Sequence, residues 1–392
     1  MNAVAIVAAS GRMLAASALR AGFSPWIIDA FADADTRALG PTVRVDLDDF
    51  GSQALDRLRE LPDMPWIYGG GVENDPDFVE IASAERPLLG ISAPTLRAVR
   101  DFDRVRQALE GESIALPERL ENRPSTGDAR LLVKPRRSAG GVGIRELAQG
   151  DPWPEGDVVV ERFVEGKPIG GLYLASDRGV ELLGITRPTA WLERSISPFL
   201  YRGTVGPIAT LPEVSAAVER AGRVIAGRFG LRGLFGIDFI VDDSGRTTLL
   251  EVNPRPTASL EVIELALGRS LLAEHAAIFG VHSGATPRPA SRAWGRVEKV
   301  VIYAESELLV PADWSPPSPA DDPWSPCELV DVPTPGTRIP SGSPVFTMLV
   351  AGPRVKRCDL GRIWKRRRGL IAEWSENARR QRSEPRRPSL EE

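Results

Sequence analysis

The stretch "LLEVNPRPTASLE", residues 249–261, sets Glu251 and Asn253 two positions apart at the end of an apolar run, with Arg255 between Pro254 and Pro256. A carboxylate, an amide and a guanidinium crowded at a strand end suit the handling of charge better than packing. Side chains alternate along a strand, so Glu251 and Asn253 share one face while Leu250 and Val252 take the other. Upstream, "GLFGIDFIV" (233–241) and the turn "DDSG" complete a hairpin pattern. On that strand Phe235, Ile237, Phe239 and Val241 point one way and Asp238 the other. Pairing Asp238 with Leu249 or with Glu251 puts Asp238, Glu251 and Asn253 on a common face; a β-bulge would alter this. Two adjacent carboxylates repel, and without a cation one of them has its pKa raised. An oxygen-only set of this kind suits Mg²⁺, which takes one or two carboxylates together with phosphate oxygens. Arg255 keeps its charge and offers a planar fork of donors to phosphate or carboxylate, and its flanking prolines restrict the backbone. The acid pair alone fits a solvated strand face equally well.

A second constellation lies upstream. "VKPRRSAGGVGI" ends a strand at Lys134 and continues through Ser138 to Gly140, Gly141 and Gly143. Glycines let backbone N–H groups approach an anion closely, and the lysine supplies charge. This is not a Walker A loop, because no Gly-Lys-Ser/Thr closes it. Between loop and hairpin runs "VVVERFVEGKP". Its strand exit offers backbone groups to an adenine edge, and it reads equally well as an ordinary buried strand.

These residues need elements to position them. "AVAIVAA" (3–9), a helical stretch over roughly 12–21, "PWIIDA", a helix at 51–60 and "WIYGGG" (66–71) alternate strand and helix, which predicts a parallel sheet covered by helices. Only Gly11 marks the first turn, against the three glycines of a dinucleotide fingerprint, so a structural α/β domain is preferred to an NAD site. A helical pattern covers 95–110. Strands follow at 131–134 and 157–166, then antiparallel neighbours "IGGLYLAS" and "GVELLGIT", a helix over 212–229, the hairpin, and a helix over 259–279 ending at Gly280. Beyond 284 the composition turns to proline, short strands and turns. The basic end of the chain reads as a solvated helix followed by disorder, or as an anion-binding arm. The expected boundaries are 1–94 for the N-terminal α/β domain and 95–283 for the nucleotide and catalytic domain. A β-rich domain is expected at 284–370, and a charged, disordered tail at 371–392.

Composition excludes several classes. With 392 residues the chain suits two or three domains. A net charge of -4 makes no whole-chain case for nucleic acid. Cys327 and Cys358 cannot build a disulfide framework, and cytoplasmic placement is the expectation. No apolar run is long enough for a membrane span. Only His275 and His282 occur, which disfavours a histidine zinc site or a Ser-His-Asp triad.

A lysine before a glycine loop, a strand ending in "ERFVEG", and a hairpin with Asp then "LLEVNPR" occur here in that order. Over roughly 95–280 the chain resembles the ATP-grasp superfamily. The resemblance implies an N-terminal Rossmann-like parallel α/β domain, two α+β subdomains gripping ATP, and a small C-terminal β-rich domain. It implies that Lys134 contacts the ATP phosphates or the adenine N7 side. The loop at Ser138, Gly140 and Gly141 would close over the phosphates, and main-chain groups from Glu161 through Phe163 to Val164 would read adenine. Asp238, Glu251 and Asn253 would hold two Mg²⁺ ions, for which Mn²⁺ is a substitute, and Arg255 would meet the transferring phosphoryl group. The chain departs from the family in two places. Arg104 stands where many members carry a helix lysine, and Glu165 is the nearest acid for the ribose where many place one after the hinge glycine.

"PFLYRGTVGP", "NPRPTASLE" and "DVPTPGTRIPSGSP" look like a subgroup of predicted ATP-dependent carboligases, distantly similar to biotin carboxylase in layout. Some members occur where one-carbon metabolism is tetrahydromethanopterin-linked, and related archaeal enzymes ligate glutamate in methanofuran synthesis. The resemblance therefore implies a cytoplasmic carbon–nitrogen ligase in one-carbon cofactor assembly, working through an acyl phosphate on a small-molecule carboxylate and amine. It implies no nucleic-acid or membrane partner and is compatible with a homodimer. The competing reading is an ATP-binding regulator that keeps the fold without ligation. Arg194 and Arg202, within "AWLERSISPFLYRG", are candidates to line the acceptor pocket or simply scattered loop charge.

Overall fold

The structure is a computed structural model that describes residues 2–112, 114–124, 130–189, 197–290, 292–317, 322–352 and 357–383. The chain begins with β1 (Ala3–Ala8), α1 (Arg12–Arg20), β2 (Ser24–Asp29), α2 (Ala34–Leu39), β3 (Thr42–Arg44), α3 (Phe50–Glu60) and β4 (Trp66–Tyr68). The four strands pair in parallel in the order β3-β2-β1-β4, as the alternation predicted. Helices cover both faces, so β1 needs no polar side and Val4 through Ala8 are all buried. Gly11 serves this packing. A Cβ there would stand 2.9 Å from Ile27 Cγ2, and its N–H donates to Asp29 Oδ2 at 2.6 Å.

Three helices follow: α4 (Pro76–Glu85), α5 (Ala93–Val99) and α6 (Phe102–Ala108). The single helix expected over 95–110 is thus two. Asp101 accepts from the N–H groups of Asp103 (3.0 Å) and Arg104 (3.3 Å), and an aspartate in that role starts a new helix. A small antiparallel sheet, β5-β8-β6-β7, comes next, built from β5 (Arg119–Leu120), β6 (Leu131–Pro135), β7 (Arg145–Glu146) and β8 (Val158–Arg162).

The larger layer comprises β9 (Lys167–Ser176), β10 (Gly179–Pro188), β11 (Gly203–Gly206), α7 (Pro212–Phe229), β12 (Gly233–Val241), β13 (Thr247–Asn253), α8 (Ser259–Leu267) and α9 (Leu271–Ile278). Here too a helix expected as one piece divides. Gly268, at φ +63, ends α8 with its N–H on Glu264 O at 2.9 Å, and a left-handed residue at that position favours glycine.

The remaining elements are β14 (Val297–Tyr303), β15 (Leu308–Leu309), β16 (Leu329–Val330), β17 (Arg338–Ile339), β18 (Pro344–Ala351) and α10 (Arg357–Ser383). β11 pairs with β14, so one eight-stranded antiparallel sheet runs β13-β12-β9-β10-β11-β14-β18-β16. The C-terminal strands extend the sheet that carries the acidic hairpin. The boundary expected at 371 falls inside α10, and the tail reading is corrected over 371–383. Leu360, Ile363, Trp374 and Ala378 bury one stripe of that helix against the last strands, which a polar average composition conceals.

A buried ionic cluster joins the domains. Arg12 at the start of α1 pairs with both carboxylate oxygens of Glu261 on α8 and, through Nε, with Asp331 at 2.9 Å. Lys299 on β14 reaches Glu261 Oε2 at 3.2 Å. One turn along, Arg20 meets Glu264 at 2.7 Å.

Candidate active site

The hairpin β12–β13 places the acids, and it does so through an irregularity. Near the turn, Val241 pairs with Thr247, Ile240 with Thr248 and Phe239 with Leu249. Continued unbroken, that register would set Asp238 opposite Leu250 and send Glu251 and Asn253 to the other face. A bulge between Phe239 and Asp238 absorbs one residue, and beyond it Asp238 pairs with Glu251 and Gly236 with Asn253. Opposed residues share a face. The bulge that could have scattered the three side chains is what gathers them.

Asn253 Nδ2 donates to Asp238 Oδ2 at 2.8 Å and reaches Glu251 Oε1 at 3.5 Å. On the other flank β9 offers Gly170 opposite Asp238, where a Cβ would stand 3.1 Å from Asp238 Oδ1. The glycine keeps space beside the carboxyl. Burial, and then the charge of Glu251, push the Asp238 carboxyl up to about 8. Two carboxylates with one shared amide donor fit a hard cation held by oxygen. Among the described residues no group of three or more His, Cys, Asp or Glu gathers as a metal site, so the donor set here is two acids and an amide.

Arg255 lies next to this face. Its Nη2 is 3.5 Å from Asn253 Oδ1, its Nη1 donates to Pro256 O at 3.2 Å, and its Nε donates to Glu73 Oε1 at 2.6 Å. Burial alone would lower its pKa, but Glu73 first, then Glu251 and Asp238, hold the guanidinium above its ordinary value.

Lys134, on β6, faces Glu161 on β8. Its Nζ is 2.6 Å from Glu161 Oε2, and Arg119 Nε donates to Oε1 of the same carboxylate at 3.0 Å. Glu161 is 2% exposed and spends its side chain on these two cations. Arg119 also stacks its Cζ 3.5 Å from the Phe102 ring centre. Sequence reasoning missed Arg119 and named Arg104, which stands on the exposed side of α6 beside Asp101 at 3.5 Å and does not join Lys134. Nothing local in "LPERL" marks Arg119; only the antiparallel pairing of β5 with β8 brings it to Glu161.

The glycine loop leaves β6 with Gly140, Gly141 and Gly143 at φ +63, +79 and +77. At Gly141 a Cβ would stand 1.9 Å from Phe199 O, and Gly140 O accepts from Tyr201 N–H at 2.7 Å. Ser138 is half-buried at its base. The loop therefore folds onto the segment 199–201, beside Arg202, whose Nη2 donates to Ser197 O at 3.2 Å. Arg194 lies outside the described residues. At the hinge, Phe163 N–H donates to Arg130 O at 2.8 Å and its ring lies 3.8 Å under the Arg130 guanidinium. Val164 is half-buried. Glu165 is exposed and accepts from Arg130 at 3.0 Å. Two cavities of about 380 and 370 Å³ exist elsewhere, and no candidate site residue lines either.

Residues 101–259 match the model of the ATP-grasp domain. The chain is similar to the arginine-specific large chain of carbamoyl phosphate synthase from Bacillus subtilis, 26% identical over 205 residues, or 46% of this chain and 19% of that one. It is also similar to L-propargylglycine–L-glutamate ligase of Streptantibioticus cattleyicolor, 30% identical over 158 residues, or 39% of this chain and 30% of that one. The chain spans under a third of either relative. Among solved structures, the biotin carboxylase domain dimer of Hydrogenobacter thermophilus 2-oxoglutarate carboxylase, in complex with MgADP, ADP and bicarbonate, aligns with a TM-score of 0.66 at 16% identity. It covers 90% of this chain and 86% of that one. At that identity the likeness concerns the fold. No helix among the described residues is long and apolar enough to cross a membrane.

Proposed function

We propose that the chain, whose residues 101–259 match the ATP-grasp domain, is an ATP-dependent carboxylate–amine ligase working through an acyl phosphate. The observation that carries this reading is the under-neutralised face of Asp238, Glu251 and Asn253 beside Arg255. A pair of neighbouring carboxyl groups with one amide donor between them and a guanidinium held alongside suits a cation bound together with phosphate.

In this reading Asp238, Glu251 and Asn253 would hold Mg²⁺, in two ions or with Mn²⁺ in its place, and the metal would supply neutralisation of phosphate charge. Lys134 and the loop of Ser138, Gly140 and Gly141 take the phosphates, and the backbone from Glu161 to Val164 takes adenine. A substrate carboxylate oxygen bonds to the γ-phosphorus as the bond from that phosphorus to the β-phosphate oxygen breaks, and ADP leaves. The amine nitrogen then bonds to the acyl carbon, phosphate leaves with the electron pair, and the amine gives up a proton. Arg255 offsets charge gathering on the phosphoryl oxygens. No enzyme nucleophile is required, because catalysis here rests on positioning and electrostatics.

The named activities of the two curated relatives and the MgADP of the structural neighbour support this class of reaction. Within it we place the substrates among building blocks of methanofuran- or tetrahydromethanopterin-type cofactors, with glutamate as one partner. The test is ADP release in Mg²⁺ with pooled carboxylates and amines. Sustained ADP formation that needs both pools is expected, and a fall on omitting glutamate tests the narrower assignment. Tight ATP binding without turnover in any pool would overturn the ligase reading in favour of a regulator.

A further inference from the structure

The N-terminal domain sends one side chain into this site that the mechanism above does not use. After β4 the chain runs Gly69-Gly70-Gly71 and makes a single tight turn over 72–74. Gly71 stands at φ +100, a conformation that side chains resist, and the turn carries Glu73 inward to 1% exposure. Its Oε1 accepts from Arg255 Nε at 2.6 Å, and its Oε2 is also buried with no hydrogen-bond partner among the described residues. A carboxylate buried this deeply is costly unless it answers a cation, and its ion pair is with Arg255. Two neighbours make the approach close. Gly70 flanks the guanidinium, where a Cβ would be 3.6 Å from Arg255 Cζ. The Tyr68 hydroxyl donates to Ile91 O at 2.7 Å and lies 3.1 Å from Pro254 O, which ties the end of β4 to the backbone directly before Arg255.

We propose that Glu73 is the positioning residue of Arg255. By holding Nε, as Pro256 O holds Nη1, it leaves Nη2 as the working group, turned toward Asn253 and the phosphoryl site. An arginine stem has many rotamers, and one already held at Nε gives up less entropy when an anion develops in front of it. The pair also links the N-terminal sheet to the hairpin, so the ends of β4 and β13 keep one spacing. The rate effect rests on the ligase reading; the positioning itself does not.

The experiment uses the full chain, with Glu73→Gln, Glu73→Asp and Glu73→Ala. The first keeps an oxygen for Nε–H, the second keeps the charge but not the reach, and the third keeps neither. In protein labelled with ¹⁵N-arginine, the Arg255 Nε–H signal is assigned by its loss in Arg255→Lys. It is expected to exchange slowly in wild type and in Glu73→Gln, and to be lost to solvent exchange in Glu73→Ala and Glu73→Asp. In the ADP-release assay, Glu73→Ala and Glu73→Asp are expected to lower kcat about 10–100-fold, the usual cost of losing an orienting partner, with KM for ATP nearly unchanged. Glu73→Gln should recover most of the rate, and adding Glu73→Ala to Arg255→Ala should cost little more. A protected Arg255 signal in Glu73→Ala or Glu73→Asp overturns the proposal, and so does full kcat in either variant. Where wild type turns over nothing, the ligase reading fails and the resonance alone decides Glu73. Where Glu73→Ala does not fold, Glu73→Asp and Glu73→Gln carry the comparison.

Discussion

Glu251 on β13 and Glu261 in the first turn of α8 lie in the same short stretch of sequence, yet their surroundings treat negative charge in opposite ways. Around Glu261 the fold closes its own account: Arg12 meets both carboxylate oxygens, Lys299 stands at 3.2 Å, and Asp331 and Asp35 surround the same arginine. Burial pushes Glu261 up, but Arg12 and then Lys299 pull it further down, and it stays well below the usual carboxylate range. Around Glu251 the hairpin gathers acids faster than cations. Asp238 is pushed up to about 8 by burial and by Glu251, with one amide as its donor. The difference separates a cluster whose buried acids are met by buried cations from one whose two acids share a single amide donor.

The strongest test breaks the self-sufficient cluster. Glu261→Ala leaves Arg12 and Lys299 buried together and is expected to cost about 3–5 kcal/mol in urea unfolding. Replacing Arg12, Glu261 and Lys299 together with apolar residues of similar volume should recover most of it. In the other cluster the loss should fall on rate. Arg255→Lys, which keeps a cation beside Glu73 but not the planar fork, is expected to lower kcat about 10²–10³-fold while the folded fraction by circular dichroism stays that of wild type.

His275 supplies a third kind of buried site, satisfied by neutral groups. Its Nδ1 accepts from Leu234 N–H at 2.8 Å and its Nε2 lies 3.1 Å from Leu89 O, which requires the neutral ring. Burial lowers its pKa from 6.5 to about 4. Between those values the unfolded chain binds more protons than the folded one, so this stability is full above about pH 6.5 and is lost as pH falls toward 4. The loss is on the order of 3 kcal/mol, read as a falling urea midpoint that His275→Gln should flatten. The smallest effect expected is ligand stabilisation. Mg²⁺ with ADP at a hundredfold excess over Kd should raise Tm by about 3 °C, and the shift should vanish in Glu251→Gln. The same gain in Glu251→Gln would place the cation elsewhere.

Much of this was legible in the residues. Alternating apolar positions mark the core face of β12, the run of Val4 to Ala8 marks a strand buried on both sides, and the pattern of Asp238 and "LLEVNPR" marks the hairpin face on which Asp238, Glu251 and Asn253 meet. Other features were not. The split at Asp101 depends on one side chain capping two N–H groups. α10 hides a buried stripe under a polar composition. Arg119 shares Glu161 with Lys134 because a strand far along the chain pairs with its own.

Residue types and local spacing determined the elements and which charged side chains they carry, because period, turn residues and charge act between near neighbours in the chain. Tertiary structure alone decided who faces whom. The bulge before Asp238 sets the parity that unites three ligand candidates, and Glu73 reaches Arg255 from a different domain. Both depend on one-residue registers and on contacts between distant segments, and these are chosen by packing over the whole sheet.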